Sequence, residues 1–202
     1  MAIKNIIFDI GNVLLGFDYR QFFEDFGYDE ATVERLAKAT AQSSAWNELD
    51  RGVQAYEEVV QKFIANDPEL EPIIYKVFAN LNGMLSRYDY AIPWIQELKE
   101  KGYKVFYLSN FFRKAQEDCA ETMDFLPFMD GGILSYQEKV TKPDAAIYQL
   151  LLSRYGLKAE ESVFLDDTEK NITGAVKVGI HGIVFQNRKQ ACEELRKLGI
   201  DA

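Results

Sequence analysis

The stretch from Ile3 to Leu15 constrains this chain more than any other. Ile3, Ile6, Ile7 and Phe8 make an apolar run that stops at Asp9, with Gly11 shortly after it. β-Branched and aromatic residues without polar alternation suit a strand buried on both faces, the setting of a central strand in a parallel sheet. In open α/β sheets ligands bind in the crevice outside the carboxyl ends of the strands, so a carboxylate there is placed to react. A glycine beside it lets the backbone approach a ligand closely. The competing reading is a buried Asp that caps the next turn.

Further stretches repeat the pattern. Tyr103 to Asn110 is a second apolar run, ending in the hydroxyl of Ser109 and the amide of Asn110. Lys142 stands directly before Pro143 and Asp144, at an expected helix start. Ser162 to Asp167 is a third apolar run and ends in two adjacent carboxylates, Asp166 and Asp167. In chain order these supply a nucleophilic carboxylate, a neutral phosphate donor, a cation and an acidic metal site, the set needed for phosphoryl transfer through an aspartyl phosphate.

Phe-Asp-x-Gly-x-Val-Leu, Leu-Ser-Asn, Lys-Pro with a following Ile-Tyr, and Phe-Leu-Asp-Asp-x-x-x-Asn resemble the four ordered motifs of the haloacid dehalogenase superfamily. The likeness covers essentially the whole chain and is nearest to the branch holding glucose-1-phosphate phosphatases and the amino-terminal phosphatase domain of soluble epoxide hydrolase. It implies an α/β fold: a Rossmann-like doubly wound parallel sheet core, residues 1–16 and 88–202, with a small helical-bundle cap inserted at 17–87. It also implies a Mg²⁺-dependent phosphoric monoester hydrolase acting on a small phosphorylated metabolite, expected to be a sugar phosphate, through an aspartyl phosphate on Asp9.

The resemblance assigns the remaining roles. Asp9 and Asp167, with the Gly11 carbonyl, are the expected ligands of Mg²⁺, a hard cation that suits oxygen donors. Asp166 is expected to support them, and Asn171 to hold the metal carboxylates in place. Ser109 and the amide after it would hydrogen-bond a phosphoryl oxygen, with Asn110 lending its side chain. Lys142 would neutralise the nucleophile and the transferring group; Lys139 competes, but Pro143 fixes the backbone after Lys142.

The departure is at position 11. Phosphatases of the superfamily usually carry there a second Asp that protonates the leaving group, and here it is Gly11. The general acid is therefore unassigned, with Asp18 or a cap residue as candidates. Two other readings follow from that gap. One is a dehalogenase, which lacks the Asp too but does not need the metal, leaving Asp166 and Asp167 hard to explain. The other is a catalytically weak, phosphate-responsive binding or regulatory module.

Composition narrows the partners. The 202 residues, 48% hydrophobic, are enough for one α/β core with a small appended unit. With 32 acidic against 23 basic side chains the formal charge is -9, which argues against nucleic acid or an anionic membrane as partner. An anionic substrate then needs a local positive site. Neither a signal peptide nor an apolar run long enough to span a bilayer is visible, so a cytoplasmic location is expected. Cys119 and Cys192 lack metal-type spacing and are expected to be reduced structural thiols.

Along the chain, Gly16 to Arg87 shows no convincing strand and reads as short helices. Phe22, Phe23 and Phe26 share a face; a second helix starts near Asp29; Val59, Val60, Phe63 and Ile64, then Ile73, Ile74, Val77, Phe78 and Leu81, recur at helical spacing. These stripes predict a bundle core, with Trp46, Phe17 and Asp18 near the cap entrance as the exceptions to watch. After Arg87 helix and strand alternate, with Pro143 expected to open the helix that ends at Gly156. That alternation predicts a parallel sheet covered on both faces.

Overall fold

The computed structural model describes residues 2–202. Strand β1 (Asn5–Phe8) follows from the opening apolar run, and all of its residues are buried. A turn leads into β2 (Leu15–Phe17), then into helices α1 (Tyr19–Glu24), α2 (Glu30–Ala39), α3 (Trp46–Arg51), α4 (Tyr56–Asn66) and α5 (Glu71–Phe78). Strand β3 (Leu85–Arg87) returns the chain beside β2, antiparallel, with Leu15 opposite Arg87 and Phe17 opposite Leu85. This ribbon corrects the expectation of no strand between Gly16 and Arg87. Strands this short show no readable period of two.

The helices between β2 and β3 follow their sequence signals. Asp29 accepts a hydrogen bond from the Thr32 N–H at 2.8 Å and so caps α2, which buries Val33, Leu36 and Ala37. Val59, Val60, Phe63 and Ile64 of α4 face Ile74, Val77 and Phe78 of α5 across one apolar cluster. Phe26 was expected on the face of α1 but lies beyond its end, where its ring meets Phe22 edge-on at 5.4 Å.

The rest alternates as the sequence predicts: α6 (Ala91–Glu100), β4 (Lys104–Ser109), α7 (Arg113–Asp118), β5 (Gly131–Leu134), α8 (Ser135–Glu138), α9 (Ala145–Tyr155), β6 (Ser162–Asp166), α10 (Glu169–Lys177), β7 (His181–Val184) and α11 (Arg188–Lys197). Helix α9 begins later than expected. Asp144 is its cap, accepting from the Ala146 N–H at 3.0 Å, and Pro143 stands before the cap in a cis peptide with Lys142.

The sheet is parallel, in the order β5-β4-β1-β6-β7, with β1 at its centre. Alternation along β1 sends Ile6 and Phe8 to a cluster with Trp94, Leu165 and Leu195, and Ile7 to the opposite cluster with Phe106, Ile147, Tyr148 and Phe164. The first cluster continues into the helices between β2 and β3. The Phe8 and Trp94 rings meet at 4.7 Å, and their burial contributes on the order of 2–3 kcal/mol each. This is a doubly wound α/β fold. It brings β1, β4 and β6 side by side, so the residues that end them share one edge of the sheet.

Candidate active site

Each of those strands ends in a polar side chain. Asp9 follows β1 and is buried; its N–H donates to the Leu165 carbonyl at 2.8 Å and its Oδ1 accepts from the Ile10 N–H at 2.7 Å. Ser109 closes β4 and is buried, and Asp166 closes β6 with no exposure. Between the carboxylates lies Lys142, 3% exposed although it comes from a loop, its ammonium 2.9 Å from Asp9 Oδ1 and 2.6 Å from Asp166 Oδ2. The competing Lys139 points elsewhere and donates to the Gly52 carbonyl.

What holds Lys142 is Asn110. The amide accepts from the Lys142 N–H at 2.8 Å and donates to the Lys142 carbonyl at 3.1 Å. The side chain expected to reach phosphate is thus engaged with the backbone of the cation, although Asn110 also lines the cavity. Pro143 was expected to direct the lysine; the directed contact comes from Asn110.

Asp166 and Asp167 differ sharply despite being neighbours. Asp166 accepts from Lys142, from the Thr168 N–H at 2.7 Å, and from the Asn171 amide at 3.1 and 3.0 Å on its two oxygens. Asp167 faces the cavity, accepting from Asn12 Nδ2 at 2.9 Å and from the Thr168 hydroxyl at 3.1 Å. Asn12 holds a left-handed backbone with φ of 56°, which Asn tolerates better than most residues. The sequence reading passed over Asn12; its place between Gly11 and Val13 at a strand end was the available signal.

The charges explain the protonation. Burial raises the Asp9 carboxyl to about 7, the Asp166 charge adds to the rise, and Lys142 and the Ser109 hydroxyl oppose it. Burial by itself would lower Lys142, but Asp9 and Asp166 together hold it above its ordinary value. Asp9, Asp166 and Asp167 offer oxygens all within 4.8 Å of one another, against the single ammonium of Lys142. Such a crowd of hard carboxylate donors fits a divalent cation of the Mg²⁺ type.

A cavity of about 200 Å³ opens over this cluster. Asp9, Gly11, Asn12, Asp167 and Thr168 form its floor, and Phe17, Trp46, Met84, Leu85, Phe111 and Phe112 its walls. Phe17 and Trp46 therefore stand where a ligand would meet the helical segment. Asp18 does not line the cavity; it caps α1 by accepting from the Gln21 N–H at 3.0 Å. Asp50, at the end of α3, lines the cavity and was not singled out from the sequence. Both cysteines are buried and free. Among the described residues no helix is long and apolar enough to cross a membrane.

Residues 3–179 match the family model of the haloacid dehalogenase-like hydrolases. The chain belongs to that family. It is a haloacid dehalogenase-like hydrolase, built on a parallel central sheet flanked by helices. It is 25% identical over 199 residues to the sesquiterpene phosphatase AstK of Aspergillus oryzae, covering 96% of each protein. It is 34% identical over 104 residues to acyl-CoA dehydrogenase family member 10 of Mus musculus, 52% of this chain but a 10% share of that much longer protein. Among solved structures, the magnesium complex of a haloacid dehalogenase family enzyme from Bacteroides thetaiotaomicron superposes with a TM-score of 0.72 at 20% identity, over 97% of this chain and 100% of that one.

Proposed function

We propose that this hydrolase is a Mg²⁺-dependent phosphatase that cleaves a small phosphorylated metabolite through an aspartyl phosphate on Asp9. The observation that carries the reading is the cluster of Asp9, Asp166 and Asp167 around a buried Lys142 at the strand ends. Asp9, Asp167 and the Gly11 carbonyl would hold the cation, with Asp166 behind them. When bound, the cation supplies the positive charge that lets a carboxylate approach an anionic phosphate. Asp9 attacks phosphorus, Lys142 neutralises the transferring oxygens, and the Ser109 hydroxyl with the amide after it hydrogen-bonds one of them. Asn110 orients Lys142, and Asn171 orients Asp166. Residues 1–16 and 88–202 act as the core and 17–87 as the cap that closes over it, excluding water and choosing the leaving group.

The cavity walls bear on the substrate. A sugar phosphate was expected, yet Phe17, Trp46, Met84, Leu85, Phe111 and Phe112 make a mostly apolar wall, in which the indole N–H of Trp46 is the one side-chain group able to hydrogen-bond a hydroxyl. Burying an unpaired hydroxyl costs roughly 1–3 kcal/mol, so these walls favour a phosphate ester with an apolar body. The name of the Aspergillus relative, a sesquiterpene phosphatase, points the same way. Dehalogenation is the weaker reading, since it leaves the Asp167 carboxylate beside the cluster without a task.

The test is a panel of sugar phosphates and of apolar alkyl and aryl phosphates, assayed for phosphate release with and without Mg²⁺. Release should need Mg²⁺, favour the apolar esters and vanish in Asp9→Asn. Turnover of haloacids in a chelator would instead establish dehalogenase chemistry. Phosphate binding without release from any ester would mark a regulatory module.

A further inference from the structure

Position 11 leaves a chemical gap at the nucleophile. Gly11 lines the cavity, and a Cβ built on it would meet nothing within 4 Å, so the place of the usual acid is open space. The acid has to come from elsewhere in the cavity wall. Asp18 is engaged as a helix cap, Asp166 is saturated by Lys142, Thr168 and Asn171, and Asp167 belongs to the cation site.

Asp50 is the carboxyl group that remains. It lines the same cavity as Asp9 and Gly11, and its carboxylate has no hydrogen bond or ion pair with any described residue. Its backbone is fixed to the core by α8 and the residue that follows it. The Ser135 hydroxyl, at the start of α8, donates to the Asp50 carbonyl at 2.6 Å, and Lys139 donates to the carbonyl of Gly52. Gly52 itself ends α3 in a left-handed conformation, φ 62°, pressed so closely on Tyr136 that a Cβ there would lie 2.8 Å from it. α3 therefore presents Asp50 from a riveted end.

We propose that Asp50 is the general acid and base of this enzyme, replacing the carboxyl missing at position 11; the assignment rests on the phosphatase reading above. As Asp9 bonds to phosphorus, the bond from phosphorus to the ester oxygen breaks. The electron pair stays on that oxygen, which takes the Asp50 proton and leaves as the alcohol. The Asp50 carboxylate then takes a proton from water as the water oxygen attacks phosphorus. The bond to Asp9 breaks, phosphate leaves, and both carboxyl groups are restored.

The environment suits the role. Burial, with the Asp9 charge adding and Lys142 opposing, raises Asp50 to about 7, so that it holds a proton near neutrality and can release it. Other charged groups near α3 are engaged or turned away. Glu48 pairs with Lys62 of α4 at 3.0 Å, Glu138 of α8 with Arg154 at 2.8 Å, and Arg51 forms no ion pair among the described residues.

The experiment uses p-nitrophenyl phosphate and 4-nitrobenzyl phosphate, which share a body but differ in leaving-group basicity. Asp50→Asn should lower kcat/KM for the benzyl ester by about 10²- to 10⁴-fold and for the phenyl ester by about tenfold or less, because the weaker base needs no proton. The decline of benzyl kcat/KM above neutral pH should disappear with it. Asp50→Glu, which keeps an acid, should hold the ratio of the two esters near that of the unmodified enzyme. Adding Gly11→Asp to Asp50→Asn should restore part of the benzyl rate. Equal losses on both esters, or none, overturn the assignment while leaving an Asp9-dependent phosphatase in place. If the unmodified enzyme releases phosphate from neither ester, the phosphatase reading itself falls and takes this assignment with it.

Discussion

Asn110 holds the backbone of Lys142 at both ends, accepting from its N–H at 2.8 Å and donating to its carbonyl at 3.1 Å. A cation carried on a loop is thereby placed with the accuracy of the strand end that precedes it. Asn110→Ala removes both hydrogen bonds, each worth roughly 0.5–1.5 kcal/mol. We expect kcat to fall about tenfold or more with a small loss of stability. Asn110→Asp should be worse, since its carboxylate would face the Lys142 carbonyl. Parallel measurements of kcat and of the urea midpoint separate these effects from simple unfolding.

Mg²⁺ should stabilise the folded protein through Asp9 and Asp167. At a cation concentration near a hundred times Kd the gain is about 2.7 kcal/mol, or a Tm rise of roughly 5–10 °C for a domain of this size. Asp167→Ala should lose most of that rise yet fold normally, because its partners are only the Asn12 amide and the Thr168 hydroxyl. Asp166→Asn should be destabilised even without metal, by on the order of 3 kcal/mol, because it breaks a buried pair with Lys142. Scanning calorimetry with Mg²⁺ and with a chelator checks both.

The raised carboxyl at Asp50 also predicts how stability depends on pH. Its value near 7 lies above the ordinary 3.8, so between those limits the folded protein keeps a proton that the unfolded chain has released. Stability therefore falls as pH rises through this window and levels off above it. Asp50→Asn cannot titrate and should be the more stable protein at pH 8, by about 1–3 kcal/mol after allowing for solvent screening, with the difference shrinking toward pH 4. Urea unfolding across that range in a chelator is the measurement. Asp9 adds a slope of the same sign, which the variant retains.

The sheet and the three strand-end groups were legible because a parallel strand leaves a dense local record: an apolar run that stops at a polar residue. Asp9, Ser109 and Asp166 could be read that way. Lys142 was legible through its motif, but not the Asn110 clamp that orients it, since a contact across two loops leaves no periodic trace. Asp50 was hidden for a different reason. Within Glu48-Leu49-Asp50-Arg51 it looks like part of a solvated helix face, and only the packing of α3 on α8 brings it to the cavity that Asp9 also lines. The β2–β3 ribbon was missed because its strands are too short for alternation to register.

Trp46 joins the bundle core to the cavity wall, and this makes it a test of substrate class. Its ring packs on Phe17 at 5.7 Å, Phe63 at 6.2 Å and Phe112 at 5.5 Å while lining the cavity. Trp46→Ala would leave a hole costing about 3 kcal/mol or more and would confuse folding with binding. Trp46→Phe keeps an aromatic body and should cost about 1–2 kcal/mol. If the walls select an apolar body, the smaller ring loses contact area with it, and KM for long alkyl or aryl phosphates should rise about tenfold, within the 1–3 kcal/mol that a hydrophobic pocket commands. Acetyl phosphate, too short to reach the wall, should keep its KM, which separates a lost contact from a disturbed reaction centre. A variant that impairs sugar phosphates more than apolar esters would reverse the substrate class inferred from the walls, because it would mean that Trp46 stacks on a sugar ring.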